Sequence, residues 1–326
     1  QVFEVPIASR GSRGRPMVNL IALDADEKVT AILPVTEDDK QNDNSYVFFA
    51  TASGMVKRVQ LSQFKNLRAN GLRAVELNDG DNLIGVAITD GEQDIMLFSN
   101  EGKAIRFNES KIRAMGRTAK GVRGMRVTLL ANQGMEDDDT ELEDDSQDDQ
   151  DNDSVVAVSR VVSLVVAPQQ GEILCACERG FGKRTPVSDF PVKGRGGKGI
   201  IAIKTTARNG ELVQALAVTD ADDIVLISDA GTLVRTPVGQ IAQTGRNAQG
   251  VTLIRISQDE SLVSIALVEG GSEDELDEDS LEAALADNIA QDGTDLQDSA
   301  DLQDIELSEA LQQDGLLEAD AQQLDN

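Results

Sequence analysis

The stretch that decides the fold is Ile200-Ile-Ala-Ile-Lys-Thr-Thr-Ala-Arg-Asn-Gly-Glu-Leu-Val-Gln-Ala-Leu-Ala-Val-Thr-Asp-Ala-Asp-Asp-Ile-Val-Leu-Ile-Ser-Asp-Ala-Gly-Thr-Leu-Val-Arg235. It contains four short β-type runs, Ile200–Ile203, Leu212–Val218, Ile224–Ile227 and Thr232–Arg235. Turn chemistry separates them: Arg208-Asn-Gly210, Asp220-Ala-Asp-Asp223 and Asp229-Ala-Gly231. The same order recurs upstream as Arg73–Leu77, Leu83–Ile88, Ile95–Phe98 and Lys103–Phe107. Four short strands per unit of about 50 residues predict a radial array of small antiparallel sheets. Closure into a ring is favoured over an open β-solenoid, because a ring protects sheet edges.

Two anchors keep the units in phase. Gly-x-x-x-Arg closes a strand at Gly54…Arg58, Gly102…Arg106, Gly180…Arg184 and Gly231…Arg235. A basic, glycine-bearing loop follows, at Arg10-Gly-Ser-Arg13-Gly14 (then Arg15), Arg68-Ala-Asn-Gly71, Arg117-Thr-Ala-Lys120-Gly121, Arg195-Gly-Gly-Lys198-Gly199 and Arg246-Asn-Ala-Gln249-Gly250. The interval from closing Arg to loop Arg is identical for Arg106 to Arg117, Arg184 to Arg195 and Arg235 to Arg246, and one shorter for Arg58 to Arg68. The glycine anchors are nearly evenly spaced from Gly54 to Gly102 and from Gly180 to Gly231. Between Gly102 and Gly180 the interval is longer by nearly 30 residues, so the third unit carries an insertion. It falls in a loop, about 132–155, where added length costs little. Units begin near Arg13, Arg73, Arg123, Gly199 and Gly250, the last stopping at Val268; Val2–Val5 reads as the closing strand of a unit cut at the N-terminus. That is four complete units, a partial fifth and a remnant, and a parent array of six. The start at Gln1 rather than Met fits a piece of a longer protein. Two domains are expected: residues 1–270 as the β domain and 271–326 as a tail.

The formal charge of −28 misdescribes every surface of this chain. Glu136–Asp153 holds 12 acidic residues and no basic one; Gly271–Asn326 holds 19 and none. The remainder carries 27 acidic and 30 basic side chains. A mildly basic body therefore carries two acidic segments. The tail has no aromatic residue and too little apolar surface to offset ordering entropy, so it is expected to be largely disordered. It is either a solubilising appendage or a tethered polyanion competing for the basic loops.

Composition also removes chemistries. The chain has no His, which excludes Ser-His-Asp and Cys-His machinery and any imidazole metal site. Cys175 and Cys177 are too few for structural zinc and are read as buried apolar residues. Tyr46, the sole tyrosine, lies in the apolar run Ser45–Ala50 with no basic cluster beside it. No metal, cofactor or catalytic residue is expected, and no apolar run approaches a membrane span. Repeated loops of one kind suit phosphate-backbone contacts along a bent duplex better than base reading. The candidate DNA-binding residues are Arg10, Arg13, Arg15, Arg68, Arg73, Arg117, Lys120, Arg123, Arg195, Lys198 and Arg246, with glycine bringing backbone close to phosphate. The competing reading is that the loops recur because turns between blades need glycine and a solvated charge. The Gly-x-x-x-Arg glycines are read as hairpin residues with positive φ, and Arg58, Arg106, Arg184 and Arg235 as candidate additions to the belt.

Ser9-Arg-Gly-Ser-Arg-Gly-Arg-Pro-Met-Val-Asn-Leu20 followed by Val29-Thr-Ala-Ile-Leu-Pro-Val35 resembles the C-terminal domain family of bacterial DNA gyrase A. So do Ile95–Lys103, Arg113-Ala-Met-Gly-Arg117 with Gly121-Val-Arg-Gly124, Gly182-Lys-Arg-Thr185, and Asp229–Thr236 with Gly245-Arg-Asn247. The resemblance covers about Val2–Val268. It implies an all-β, propeller-like six-bladed β-pinwheel, its first blade largely missing here, that wraps double-stranded DNA on a basic rim. It further implies a homodimer of the full gyrase A chain, a gyrase B partner in an A2B2 assembly, and a bacterial cytoplasmic, nucleoid-associated location. ATP and Mg would act elsewhere in that type IIA topoisomerase. The family's box, Gln-[Arg/Lys]-Arg-Gly-Gly-Lys-Gly, has only a degenerate counterpart at Lys193-Gly-Arg-Gly-Gly-Lys-Gly199. Topoisomerase IV and a protein-binding propeller are the rival readings; the Ser9–Pro16 run favours gyrase.

Overall fold

The computed structural model describes residues 29–35, 44–65, 71–128, 158–257 and 259–268. The expected insertion, the tail, residues 1–28 and Arg68 lie outside them. Fifteen strands follow in chain order: β1 Tyr46–Thr51, β2 Met55–Gln60, β3 Leu83–Thr89, β4 Asp94–Ser99, β5 Lys103–Asn108, β6 Val122–Arg123, β7 Val161–Val166, β8 Glu172–Cys177, β9 Phe181–Pro186, β10 Ile200–Ile201, β11 Leu212–Val218, β12 Asp223–Ser228, β13 Leu233–Pro237, β14 Val251–Thr252 and β15 Leu262–Val268. Short 3-10 turns follow β2, β5, β9 and β13, and no α-helix occurs among the described residues.

The strands form four antiparallel sheets: β3-β1-β2-β6, β10-β5-β4-β7, β11-β8-β9-β14 and the three-stranded β13-β12-β15. The class is the expected all-β, propeller-like array, with four blades among the described residues rather than six. The sequence unit, however, is not the blade. Of the four runs quoted at the outset, the first becomes β10 beside β5, the second β11 beside β8, and the last two pair as β12 and β13. One unit thus serves three successive sheets. Two expected strands also shrink: Arg73–Leu77 forms none, and only Ile200–Ile201 of the Ile200–Ile203 run is extended. The chain turns there because the N–H groups of Ala202 and Ile203 both donate to Gly102 O, at 2.8 and 3.1 Å.

Each central strand is sandwiched between neighbouring sheets, which is why it reads as a continuous apolar run. Side chains alternate across a strand. On β4, Ile95 and Leu97 pack with Phe48 and Ala50 of β1, while Met96 and Phe98 pack with Ile173, Cys175 and Cys177 of β8. On β8 the intervening Leu174 and Ala176 face Ile224 and Leu226 of β12. A fully buried side chain of this size contributes about 1.5–3 kcal/mol. Cys175 and Cys177 are buried free thiols, and burial pushes each up to about 12, so both stay neutral and apolar in character.

The hairpin glycines do have positive φ, and Gly102 shows a second reason for the residue. Its φ is +76°, and a Cβ there would sit 2.2 Å from Ile203 O on the incoming unit. Gly231 has φ +84° but meets nothing within 4 Å, because β13 has no fourth strand beside it among the described residues. Gly231→Ala is therefore expected to cost about 1–2 kcal/mol of left-handed strain alone. Gly102→Ala is expected to add roughly 2 kcal/mol for displacing the incoming strand. Thermal unfolding checks this: an equal fall in Tm for both variants would contradict the role given to strand exchange.

Candidate functional site

The strand arginines do not reach the candidate surface. Arg58 and Arg184 are 9% and 7% exposed. Arg184 bonds Glu172 at 2.7 Å, Ile241 O at 2.8 Å, and Asp220. Arg106 holds Asp94 at 2.9 Å and the carbonyls of Val187 and Phe190 at 3.0 and 3.2 Å. Arg235 pairs with Asp223 at 2.7 Å. The strand acids Asp94, Glu172 and Asp223 occupy the first position of their strands, diagonally across the hairpin from the arginine. In the first sheet Tyr46 takes that position, and the Arg58 guanidinium lies 4.4 Å from its ring centroid, with Glu109 3.7 Å away. The lone tyrosine thus substitutes a ring face for a carboxylate. These arginines staple blades and are removed from the belt.

The loop residues behave differently. Each of three loops ends in a glycine whose following two residues add to the edge of the preceding sheet: β6 to β2, β10 to β5, β14 to β9. A Cβ on Gly121 would sit 2.5 Å from Val56 O, so this glycine approaches a neighbouring carbonyl. Gly199 and Gly250 repeat the geometry at 2.6 and 2.5 Å. That corrects the expectation that these glycines serve phosphate: they serve the strand junction.

The arginines are stitched from loop to loop in constant register. Arg117 Nη1 donates to Arg73 O at 3.4 Å, Arg195 Nη1 to Arg123 O at 3.0 Å, and Arg246 Nη1 to Ile201 O at 3.2 Å. Every acceptor is the second residue after the preceding loop's glycine. Arg73, Arg117, Lys120, Arg123, Arg195, Lys198 and Arg246 are thereby brought onto one succession of adjacent loops. Arg73, Lys120 and Lys198 are exposed or half-buried and Arg117, Arg123, Arg195 and Arg246 likewise keep part of their surface in solvent. Arg10, Arg13, Arg15 and Arg68 fall outside the described residues.

Sequence reasoning missed a second row. Arg126, Lys204 and Arg255 each stand five positions after a loop glycine, and all are exposed. Arg126 N donates to Gly197 O at 2.9 Å and Lys204 N to Ala248 O at 3.2 Å, so the second row borders the next loop. The fixed offset was the available signal.

Also missed were two buried cations beneath the loops. Lys57 on β2, 1% exposed, donates to Ala74 O at 2.9 Å, Arg117 O at 2.5 Å and Ala119 O at 3.0 Å. Lys183 on β9, fully buried, donates to Gly245 O at 2.6 Å, Arg246 O at 2.8 Å and Thr185 Oγ1 at 3.2 Å. Burial pulls both ammonium groups down to about 8. No group of three His, Cys, Asp or Glu placed for a metal occurs among the described residues, and no helix among them is long and apolar enough to cross a membrane.

The arrangement offers repeated cations on one line and no paired acid and base for catalysis among the described residues. Comparison with known proteins agrees with the architecture. A DNA gyrase A C-terminal domain of known structure superposes with TM-score 0.63 at 24% identity, covering 80% of this chain and 77% of that one. The C-terminal domain of DNA topoisomerase IV gives 0.64 at 24%, covering 84% and 75%, so fold alone does not separate the two. Sequence does: the DNA gyrase A protein of Haemophilus influenzae is 47% identical over 285 residues, 86% of this chain. This chain spans 32% of that relative's length. The family described as DNA gyrase C-terminal domain, beta-propeller, matches residues 1–36, 45–90, 93–140, 171–220 and 222–269, and the chain belongs to it.

Proposed function

We propose that this chain binds double-stranded DNA through its successive basic loops and bends it from blade to blade. The wrapping would give a handedness to strand passage in ATP-dependent negative supercoiling by a gyrase. The observation that carries the reading is the constant register of Arg117, Arg195 and Arg246 on the preceding loop. It makes the cations periodic along one line, as a phosphate backbone is. The chain acts as a non-catalytic module: cleavage, ATP and Mg chemistry belong to other parts of a bacterial cytoplasmic assembly. Its partners there are the rest of the gyrase A chain, as a homodimer, and gyrase B in an A2B2 complex.

The 1–270 domain supplies the contacts, and the acidic tail 271–326 competes for them as a tethered polyanion. Lys120→Glu with Lys198→Glu is expected to weaken binding to duplexes of different sequence by the same factor. The slope of log affinity against log salt should fall in magnitude by about 2, close to 0.9 for each phosphate no longer neutralised. An unchanged slope in a salt titration followed by fluorescence anisotropy would refute the rim assignment. Deleting 271–326 should raise affinity at low salt; equal affinities would leave the tail no competing role.

A further inference from the structure

The residue before the strand arginine alternates around the array: Lys57, Ile105, Lys183, Val234. Only the lysines reach the loop above them. In both cases Nζ takes the main-chain carbonyl of the rim arginine itself, Arg117 O under one loop and Arg246 O under the other. No described peptide bond is cis. A trans peptide directs the following N–H opposite to its carbonyl, so the amides of Thr118 and Asn247 face away from the buried ammonium. Neither finds a main-chain acceptor among the described residues. Over Ile105 the loop is built differently. Gly196 and Gly197 replace the Thr118-Ala119 and Asn247-Ala248 pairs, and a Cβ on Gly197 would touch the Ile105 side chain at 3.8 Å.

We propose that Lys57 and Lys183 are positioning residues for nucleic-acid binding. Each fixes a rim peptide plane so that the amide after the arginine, Thr118 or Asn247, joins the guanidinium in contacting one phosphate. The inference rests on the DNA-binding reading above. An outward amide beside a cation is a small anion-binding concavity, and a donor fixed in advance loses less freedom on binding than a mobile side chain. The alternation means that every second loop is anchored by charge and the loop between them by apolar contact.

A buried ammonium also makes the anchor sensitive to pH. Lys57 faces Glu76, which favours its charge, and Arg117, which opposes it. Lys183 faces Cys175, Cys177 and Asp189, which favour its charge, and Arg246, which opposes it. Both thiols stay neutral below about 12, so they do not titrate in the same window. Both lysines lose their proton near 8 when folded, against 10.5 when unfolded. Between those values the unfolded chain binds more protons, and these groups make folding more favourable as pH rises. A loss of DNA affinity in that window is therefore not a loss of fold.

The test uses the full 326-residue chain, a short duplex of mixed sequence, and anisotropy measured from about pH 6.5 to 9.5, a range spanning the shifted lysine values, at constant ionic strength. Wild type should lose affinity through about pH 8, whereas Lys57→Met with Lys183→Met should bind about tenfold more weakly at pH 7, the cost of a lost donor to a charged acceptor. The variant's pH profile should be flat and its salt slope unchanged, because no phosphate-contacting charge is removed. A slope lower by about 1 per lysine would mean direct phosphate contact and overturn the proposal, as would wild-type affinity in the variant. Should the variant not fold, the wild-type profile decides, a flat curve through pH 8 being fatal. Failure of wild type to bind the duplex at any pH would instead overturn the DNA-binding reading itself.

Discussion

The rest of the structure depends on one constraint: the outer edge of each blade must be paired by main chain from the next unit. Unpaired edges template further pairing and are hazardous in β proteins. Here β2, β5 and β9 are each closed by a two-residue strand that begins immediately after a loop glycine. Gly121, Gly199 and Gly250 lie so close to the neighbouring carbonyl that no Cβ fits. Because the basic loop directly precedes that junction, covering the edge and placing the cations are a single event. The β13 edge shows what the junction does: without a fourth strand among the described residues, Leu233 is 65% exposed.

The basic residues are sorted by depth, and the sorting lets the rim keep its charge. Strand arginines meet carboxylates or carbonyls within the blades, so their charge is neutralised locally. A buried pair of this kind gains little net stability, because desolvation offsets the attraction; it specifies which surfaces meet. Loop cations use one donor for a neighbouring carbonyl, as Arg195 does on Arg123 O. A guanidinium has five N–H groups, so most remain for solvent or a ligand. A one-residue step along β2 or β9, from arginine to lysine, moves from blade stapling to loop support.

Much of this was legible because it is local. Glycine spacing, apolar runs and the Arg-to-Arg phase are properties of short windows, and they predicted the strands of the hairpins β4–β5 and β12–β13 closely. What failed was the assignment of strands to sheets. A two-residue strand such as β6 carries no period, and its partner lies far back along the chain, Val122 pairing with Val56. The same non-locality hid Lys57 and Lys183: a lysine on a strand reads as solvated until a distant loop covers it. The second cationic row, Arg126, Lys204 and Arg255, was missed for a simpler reason. Its offset from the loop glycine is regular, but no glycine or proline marks it.

The long insertion leaves the rim undisturbed, and the reason lies in its neck. In an ordinary unit the chain returns from the edge strand through a short turn, as in Thr206–Gly210, where Asn209 and Gly210 N–H groups bond to Thr206 O at 3.2 and 2.9 Å. At the insertion the same place is held by Ser159 N donating to Thr128 O at 2.8 Å. Asn100 reinforces it, donating to Val158 O at 3.3 Å and accepting from Arg160 N at 2.8 Å. The ends of the added segment are thus clamped by bonds of the kind that close the short turns. The entropy of closing a flexible loop grows only with the logarithm of its length, about 0.6 kcal/mol per doubling. β6 has already joined its sheet before the insertion departs, and β7 joins the next after it returns. The loop phase is therefore set outside the inserted segment. That is how the long interval from Gly102 to Gly180 can sit between the shorter ones on either side with the rim register intact.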